Sequence, residues 1–262
     1  MFYFQYPILK NLFPIVLVAL GSTMGLYAQM FSVPSREKTE ASDRAISVGR
    51  LNGTYQIRAD LATGGAQELR FDPMQLYYAV LQTPGLVVSG ALGSVNVCDT
   101  GTSCIYEIRD FHAASINGIP LNRQGRNQFS VPIGLMLDFR RSGPKDQFNA
   151  PGAYFGVTAA QLAAGLAGNL RIGRKTTLAF RTIASGGLAL QTQDSGLGLA
   201  RQYDATAELH LSGLIGRYGL VVGADLRGFD WDVRYTGLQF KSSPQQTHYS
   251  GKQMGARLGL RF

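Results

Sequence analysis

The feature that most constrains the fold of this chain is a strictly alternating segment at its C-terminal end. Between residues 253 and 262, every second residue is apolar, and the residues between them are polar or glycine. A period of two indicates a β-strand with one apolar face. At about ten residues the segment exceeds an ordinary soluble strand and is long enough to cross a membrane at a tilt. Its apolar face consists of Met254, Ala256, Leu258, Leu260 and Phe262.

The same alternation recurs along most of the chain, and no long segment has the period of a helix. We therefore predict an all-β fold, an antiparallel transmembrane β-barrel of ten strands, with eight strands as the main alternative. An even number would let the C-terminal strand close the barrel against the first strand, at residues 51–61. The ten predicted strands lie near residues 51–61, 67–82, 86–97, 104–112, 127–140, 154–172, 177–191, 203–215, 219–234 and 252–262.

The segments between the strands differ in length in a regular way. Ile172-Gly173-Arg174 and Ile215-Gly216-Arg217 each join two alternating runs through a tight link that contains glycine. Residues 192–202 and 237–249 are longer and polar. Short turns at one rim and longer loops at the other are typical of outer-membrane barrels.

Alternation alone does not show which face points outward. A soluble barrel buries its apolar face, whereas a membrane barrel turns that face to lipid. The polar face here carries small residues and charges of both signs, which suits a narrow, wet interior and favours the membrane barrel. We therefore expect the apolar face of the last strand to contact lipid. The predicted interior polar network comprises Arg171, Arg181, Glu208, His210, Asp225, Arg227 and Arg257.

The N-terminal residues indicate export. Lys10 precedes a short apolar run, and small residues follow up to Ala28, which is the order of a cleavable signal peptide. The apolar run is short for a membrane helix, although an uncleaved anchor is the alternative. We predict a signal peptide at residues 1–28, a mobile segment at 29–45 and an outer-membrane barrel at 46–262.

The charge balance bears on partners. The chain has a formal net charge of +8, and removal of the signal peptide would lower it by one. Export argues against nucleic acid, so outer-membrane lipid is the expected partner, with a merely soluble basic surface as the alternative. We also expect the barrel-assembly machinery to engage the C-terminal strand, because exported barrels commonly end on such a strand with a terminal aromatic residue. Other envelope proteins are further candidate partners.

Two cysteines, Cys98 and Cys104, are separated by a short segment that contains glycine. In an oxidising compartment such a pair predicts a disulfide that pins a loop. Two free thiols are the alternative. A zinc site would need further ligands, which this spacing lacks.

Residues 128–139, Gln-Phe-Ser-Val-Pro-Ile-Gly-Leu-Met-Leu-Asp-Phe, resemble the proline-containing central strand of the PorT-like small outer-membrane barrels. Pro151-Gly152-Ala153-Tyr154 is similar to the strand that follows in that family, and the signal ending at Ala28 resembles those of Bacteroidota. The resemblance covers residues 127–262, and it departs at Ser130, where the family often has an acidic residue. It implies the fold and the location and transfers no functional residue.

One acid, base and nucleophile set occurs on a single strand face, namely Glu208, His210 and Ser212. Residues two apart on a strand lie roughly 6–7 Å from each other, beyond hydrogen-bond reach, so we expect no triad among them. We predict no catalytic residue, no cofactor and no metal site.

The expected function is that of a small, non-enzymatic outer-membrane barrel that acts as a structural or partner-binding component. One alternative is a narrow pore or small-solute transporter, in which excess arginines would favour anions. The other is a lipid- or peptide-modifying barrel enzyme.

Overall fold

The computed structural model describes residues 44–61, 64–97, 104–122, 127–147, 155–191, 196–215, 218–235 and 244–262. The predicted signal peptide, most of the predicted mobile segment, Cys98 and residues 151–154 lie outside these ranges. The Cys98–Cys104 disulfide therefore stays a prediction. No helix among the described residues is long and apolar enough to cross a membrane.

Ten antiparallel strands form one closed barrel, in which each strand pairs with its neighbours in chain order and β1 pairs with β10. This confirms the predicted fold class and strand number. A single turn of 3₁₀ helix, Lys145–Gln147, follows β5. The strands are β1 (Ala45–Leu61), β2 (Ala66–Thr83), β3 (Leu86–Asn96), β4 (Ile105–Pro120), β5 (Gln128–Pro144), β6 (Phe155–Arg171), β7 (Thr176–Gln191), β8 (Gly196–Ile215), β9 (Tyr218–Tyr235) and β10 (Pro244–Arg261).

The barrel closes where the sequence predicted. Ala45 lies opposite Arg261, and the pairing of β1 with β10 continues to Asp60 opposite Gln246. The backbone N–H of Phe262 donates to the carbonyl of Arg44 at 3.0 Å, which extends the closing ladder by one residue. The last strand therefore has both of its edges paired, to β1 and β9.

The two rims differ, and we name them by their contents. The terminal rim holds the start of β1, the end of β10 and the links β6–β7 and β8–β9, as predicted for the two Ile-Gly-Arg segments. The loop rim is the opposite one. There the predicted loops were too long, because β8 already begins at Gly196 and β10 at Pro244. The polar residues of the described parts of these loops, residues 196–202 and 244–249, belong to strands.

A band of exposed apolar side chains surrounds the outer face of the barrel. On β1 it lies on the terminal-rim side, whereas on β7 and β8 it continues to Leu190 and Leu197 near the loop rim. Leu162 is 71% exposed and Met254 is 66% exposed. A single exposed apolar side chain is ordinary in a soluble protein, but exposed apolar side chains on every strand are not. This apolar band is the surface that a membrane-spanning barrel presents to hydrocarbon. Its members on successive strands include Ile46, Val48, Tyr77, Leu92, Phe111, Leu135, Leu162, Leu188, Tyr203, Leu226 and Leu258.

The apolar face of β10 lies as predicted on this outer surface. Met254, Ala256, Leu258 and Leu260 are exposed there, whereas Phe262 is only partly exposed at the terminal rim. The alternating positions between them point into the barrel, where Gln253 and Arg257 are buried.

Towards the loop rim the two faces of β1 exchange roles. The outer side chains become polar, such as Arg58 and Asp60, while the apolar side chains Tyr55, Ile57 and Ala59 are buried inside the barrel. The expectation that apolar side chains face outward is therefore wrong for this half of β1. The reason is that the barrel wall extends past the apolar band, where water surrounds it and the interior becomes the apolar environment.

Candidate functional site

The lumen near the loop rim is filled by aromatic side chains. Tyr55 stacks on Phe71 with ring centroids 5.3 Å apart, and Phe229 packs against Trp231 at 5.1 Å. Tyr55 and Phe229 join the two pairs at 5.8 Å. Each of these side chains is at most 4% exposed, so in the described part of the chain the rings are packed closely against one another and the wall. We call Tyr55, Phe71, Phe229, Trp231 and the neighbouring Tyr249 the aromatic plug.

Arg140 lies against the inner side of the aromatic plug. Its guanidinium carbon is 3.8 Å from the centroid of Phe229 and 4.9 Å from that of Tyr55, which is cation–π geometry. The same guanidinium donates two hydrogen bonds to Asp110, one from Nη2 at 2.6 Å. Gln253 donates to the same carboxylate at 3.3 Å. This buried ion pair ties β4 and β5 together and, through Gln253, reaches β10 across the lumen.

A second buried pair lies beside the first. His112 Nδ1 and Asp138 Oδ1 are 2.8 Å apart, and Gln161 donates to the other oxygen of Asp138 at 3.1 Å. Ser185 in turn donates to Gln161 at 3.0 Å. The chain of contacts runs along the wall from β4 to β7 and holds polar groups that would otherwise be unpaired in the interior.

Arg257 is the centre of the polar network nearer the terminal rim. Its guanidinium donates to Asp225 on β9 at 2.8 Å, to Ser47 on β1 at 2.9 Å and to Glu208 on β8. Tyr78 on β2 completes the group by donating to Asp225 at 2.6 Å. Residues from five strands therefore belong to one hydrogen-bonded group, and three of them contact the guanidinium of Arg257 directly.

Gly223 explains how Arg257 reaches β8. The two residues are directly opposite each other on β9 and β10, and Gly223 is in turn opposite Glu208. A Cβ atom at Gly223 would lie 3.0 Å from Cγ and Nε of Arg257. Because glycine leaves that space open, the arginine side chain can cross β9 to the carboxylate on the far side.

Glu208 and His210 are in direct contact. Glu208 Oε2 and His210 Nε2 are 2.6 Å apart, so the expectation that neighbours on one strand face are out of reach is wrong for this pair. The two backbones are spaced as expected, but both side chains are long enough to lean together. In the described part of the chain, Ser212 is not hydrogen-bonded to His210.

The remaining predicted network residues differ in their surroundings. Arg227 donates to Asp204 at 2.7 Å, and Gln202 also donates to that carboxylate. Arg181 lines the central cavity of the lumen near these groups. Arg171 is exposed at the terminal rim and lies outside the network, because β6 ends at that residue and the wall no longer encloses the side chain.

The cavity below the aromatic plug has a volume of about 60 Å³. Since a water molecule needs at least about 10–15 Å³ of such volume, it has room for only a few waters. Its polar wall combines the groups described above, namely Asp110, His112, Arg181, Asp204, Asp225, Arg227, Gln253 and Arg257.

Sequence reasoning missed the polar layer of β4 and β5. Asp110 and His112 alternate with apolar residues on β4, and Asp138 and Arg140 do so on β5. That alternation, a charged pair two apart within an apolar strand, is the signal that would have found them. The aromatic plug had no such signal, because its members read as an ordinary apolar strand face.

A separate cluster lies on the outer face near the loop rim. Single ligand atoms of Asp230, Asp232 and His248 all lie within 4.8 Å of one another. His248 Nδ1 is 2.8 Å from Asp232 Oδ1, which Gln246 also approaches at 3.2 Å. Of the described residues these are the group that could hold a metal ion, although the three side chains are between about a third and three-fifths exposed.

No protein-family model and no curated protein matches this chain. The resemblance to PorT-like barrels therefore stays a prediction.

Among solved structures, the chain is similar to the outer membrane protease OmpT from Escherichia coli, with 12% identity and a TM-score of 0.43 over 88% of this chain and 99% of that one. It is also similar to Ail, the attachment invasion locus protein of Yersinia pestis, with 10% identity and a TM-score of 0.26 over 85% and 99%. For the Ralstonia pickettii toluene transporter TbuX the values are 10%, 0.25, 84% and 90%. Identities and TM-scores this low assign no function to this chain.

Proposed function

We propose that this chain is a non-enzymatic outer-membrane β-barrel with a closed lumen, which acts as a structural or partner-binding component of the envelope. The observation that carries the proposal is the filling of the lumen by the aromatic plug and, below it, by paired charges. A barrel with a closed lumen can contact partners only through its outer surface and its rims.

Charge pairing argues against the pore alternative. An anion-selective lumen needs an excess of cations, but the arginines and carboxylates of this lumen are close to balanced. Within the described part of the chain, four lumenal arginines face five carboxylates: Arg140, Arg181, Arg227 and Arg257 against Asp110, Asp138, Asp204, Glu208 and Asp225.

The contacts of Glu208 argue against the enzyme alternative. A catalytic triad needs a nucleophile within hydrogen-bond reach of its histidine, and Ser212 is not hydrogen-bonded to His210 in the described structure. Here the other oxygen of Glu208 accepts a hydrogen bond from Arg257, and the pair is buried inside the wall. The arrangement is that of a structural network.

The proposed partners follow from the surfaces. Outer-membrane lipid would cover the apolar band, and the barrel-assembly machinery would engage β10 before it pairs with β1. Other envelope proteins would bind at the loop rim, where the strands rise above the apolar band and carry charged side chains such as Arg58, Arg70 and Asp72. An exported outer-membrane location is part of this proposal.

Planar-bilayer recording tests the closed lumen. The purified chain, first shown to be folded by heat-modifiable migration on a denaturing gel, is expected to insert without discrete conductance steps. Reproducible open events from folded protein would overturn the closed barrel in favour of the pore. Envelope proteins that co-purify in mild detergent would identify the partner.

A further inference from the structure

A groove on the outer face spans β8, β9, β10 and β1 at the level where the apolar band ends on β9 and β10. Four outward positions stand side by side across these strands, because Tyr203 is opposite Gly228, Gly228 is opposite Lys252, and Lys252 is opposite Thr54. The next row towards the loop rim begins with Arg201 opposite Asp230. The groove between these rows has a volume of about 470 Å³.

Gly228 forms the floor of this groove. It faces outward without a side chain, and the ring of Tyr203 lies across it, so that a Cβ atom at residue 228 would collide with the phenol. The atoms nearest that position include the hydroxyl oxygen, which places the polar end of Tyr203 over β9, next to Lys252 on β10. Aromatic side chains with one polar end are characteristic of the membrane–water boundary.

Two cations flank the groove. Arg201 and Lys252 are both exposed, and neither makes a hydrogen bond or ion pair within the described ranges of the chain. Some other outer arginines differ, since Arg58 on β1 pairs with Asp60 at 3.1 Å and Arg70 on β2 with Asp72 at 3.4 Å. The groove is thus a place where positive charge is left unneutralised.

The spacing of the two cations suits one shared anion. They lie diagonally across two strand spacings and one pleat repeat, which puts their Cα atoms about 12 Å apart. Both side chains are long and flexible and can converge on a group between them. Asp230 also lines the groove, but its carboxylate is 3.7 Å from His248 Nδ1 on the side away from Lys252.

The surface next to the groove on the terminal-rim side is apolar. Leu226 and Met254 lie one pleat below, and they are 44% and 66% exposed. A ligand in the groove would therefore meet cations at one end and hydrocarbon-facing side chains at the other. An amphiphile with an anionic head fits this pattern, whereas a free anion would use only half of it.

We propose that Arg201, Lys252 and the hydroxyl of Tyr203 bind the phosphate of an anionic membrane lipid whose acyl chains lie against Leu226 and Met254. This inference rests on the proposed membrane location of the barrel. Guanidinium and ammonium groups donate charge-assisted hydrogen bonds to phosphate, and a membrane-facing groove exposes them to less water than an open surface does.

Native mass spectrometry of the detergent-solubilised chain tests the proposal. The probes are phosphatidic acid, phosphatidylcholine with the same acyl chains, and inorganic phosphate. We expect phosphatidic acid to bind and the double variant Arg201→Ala with Lys252→Ala to lose at least roughly tenfold in affinity, the equivalent of one charge-assisted hydrogen bond. Binding of phosphatidylcholine should not change. Asp230→Asn, which removes the carboxylate from the groove, should strengthen phosphatidic acid binding.

The matched control is Arg171→Ala with Arg174→Ala, which removes the same charge from exposed positions at the terminal rim. An equal loss in both double variants would show unspecific charge attraction and overturn the site. Complete competition by inorganic phosphate would also overturn it, in favour of a free-anion site. If the proposed membrane location were wrong, the wild-type chain would fail to insert into vesicles; if only this site were wrong, insertion would persist without preference for phosphatidic acid.

Discussion

Arg257 shows how single residues stabilise the interior of this barrel. Its guanidinium contacts carboxylates on two other strands, and all three groups are largely removed from water. A buried ion pair adds little when it replaces apolar packing, but the loss of one partner leaves a bare charge that costs several kcal/mol. The network therefore makes the register of β8, β9, β10 and β1 specific, because a shift in register would leave a buried charge without its partner.

Replacement of Arg257 by methionine is expected to lower the free energy of unfolding by about 3–5 kcal/mol, because Glu208 and Asp225 would remain as uncompensated buried charges. Urea unfolding in lipid vesicles measures the change.

The control for this prediction is the triple variant that also carries Glu208→Gln and Asp225→Asn. Those substitutions remove both charges while keeping similar shapes, so most of the lost stability should return. If Arg257→Met unfolds at the wild-type urea concentration, the hydrogen bonds of the network do not contribute to stability.

The contact between Glu208 and His210 shows that backbone spacing alone does not predict which side chains touch. Backbone spacing along a strand gives the distance between Cα atoms, but hydrogen bonds join side-chain ends. Glutamate and histidine lean together to 2.6 Å, whereas the shorter Ser212 is not hydrogen-bonded to His210 in the described structure. Reach depends on side-chain length as well as on position.

At the scale of elements, β1 carries two environments in one alternating pattern. Near the terminal rim its outer side chains are apolar, with Val48 63% exposed, and near the loop rim its inner side chains are apolar, with Tyr55 1% exposed. Both halves alternate, so the period identifies the strand throughout. The side that is apolar depends on whether lipid or water lies outside at that height.

The closing register can be tested by cross-linking. Val48 and Leu258 are directly opposite on the outer face of β1 and β10. Opposed Cα atoms in antiparallel strands are about 4.5–5.5 Å apart, within the range of disulfides, so cysteines at these two positions should oxidise to a cross-link. The measurement is the gel mobility of the oxidised chain after proteolysis, in a background of Cys98→Ser and Cys104→Ser.

Cysteines at Val48 and Ala256 provide the control. Ala256 is opposite Arg50, one pleat away, and diagonal neighbours lie about 7–8 Å apart, too far for an unstrained disulfide. A cross-link in the control pair in place of the test pair would mean that the strands close in a register shifted by two residues.

At the scale of the whole molecule, the lumen has two layers. The aromatic plug occupies the loop-rim half, and the network of paired charges occupies the terminal-rim half, with Arg140 in contact with both. Rings from β1, β2, β9 and β10 meet in the plug, so it joins distant parts of the wall as well as closing the lumen. Removal of the plug should open a path through the lumen, because the layer of paired charges narrows the lumen without closing it.

The double variant Phe229→Ala with Trp231→Ala is therefore expected to show discrete conductance steps in planar bilayers, unlike the wild-type chain. Each truncation removes a buried ring and costs about 3–5 kcal/mol, so heat-modifiable migration must first show that the variant is folded. Val222→Ala with Leu226→Ala, on the outer face of the same strand, serves as the control and should not conduct. If a folded plug variant shows no conductance steps, the layer of paired charges closes the lumen by itself.

The sequence alone was enough to predict the barrel, its ten strands and its closure between the first and last strands. These follow from alternation and turn residues, which are local properties of the chain. The alternation of side chains along a strand is a local property too. From it, six of the seven predicted network residues were placed correctly on the lumen side of the wall. The prediction for Arg171 was wrong because alternation does not show where the barrel wall ends.

The charges that meet, the side chains that fill the lumen and the position of the outer groove became visible only in the folded barrel. Arg257 meets Glu208 across β9 only in the observed register, with a glycine between them. The aromatic plug depends on four strands that bring rings to one height, and the groove depends on where the apolar band ends on β9 and β10. Pairings across strands and heights along the barrel axis arise from closure and tilt, which no local pattern specifies.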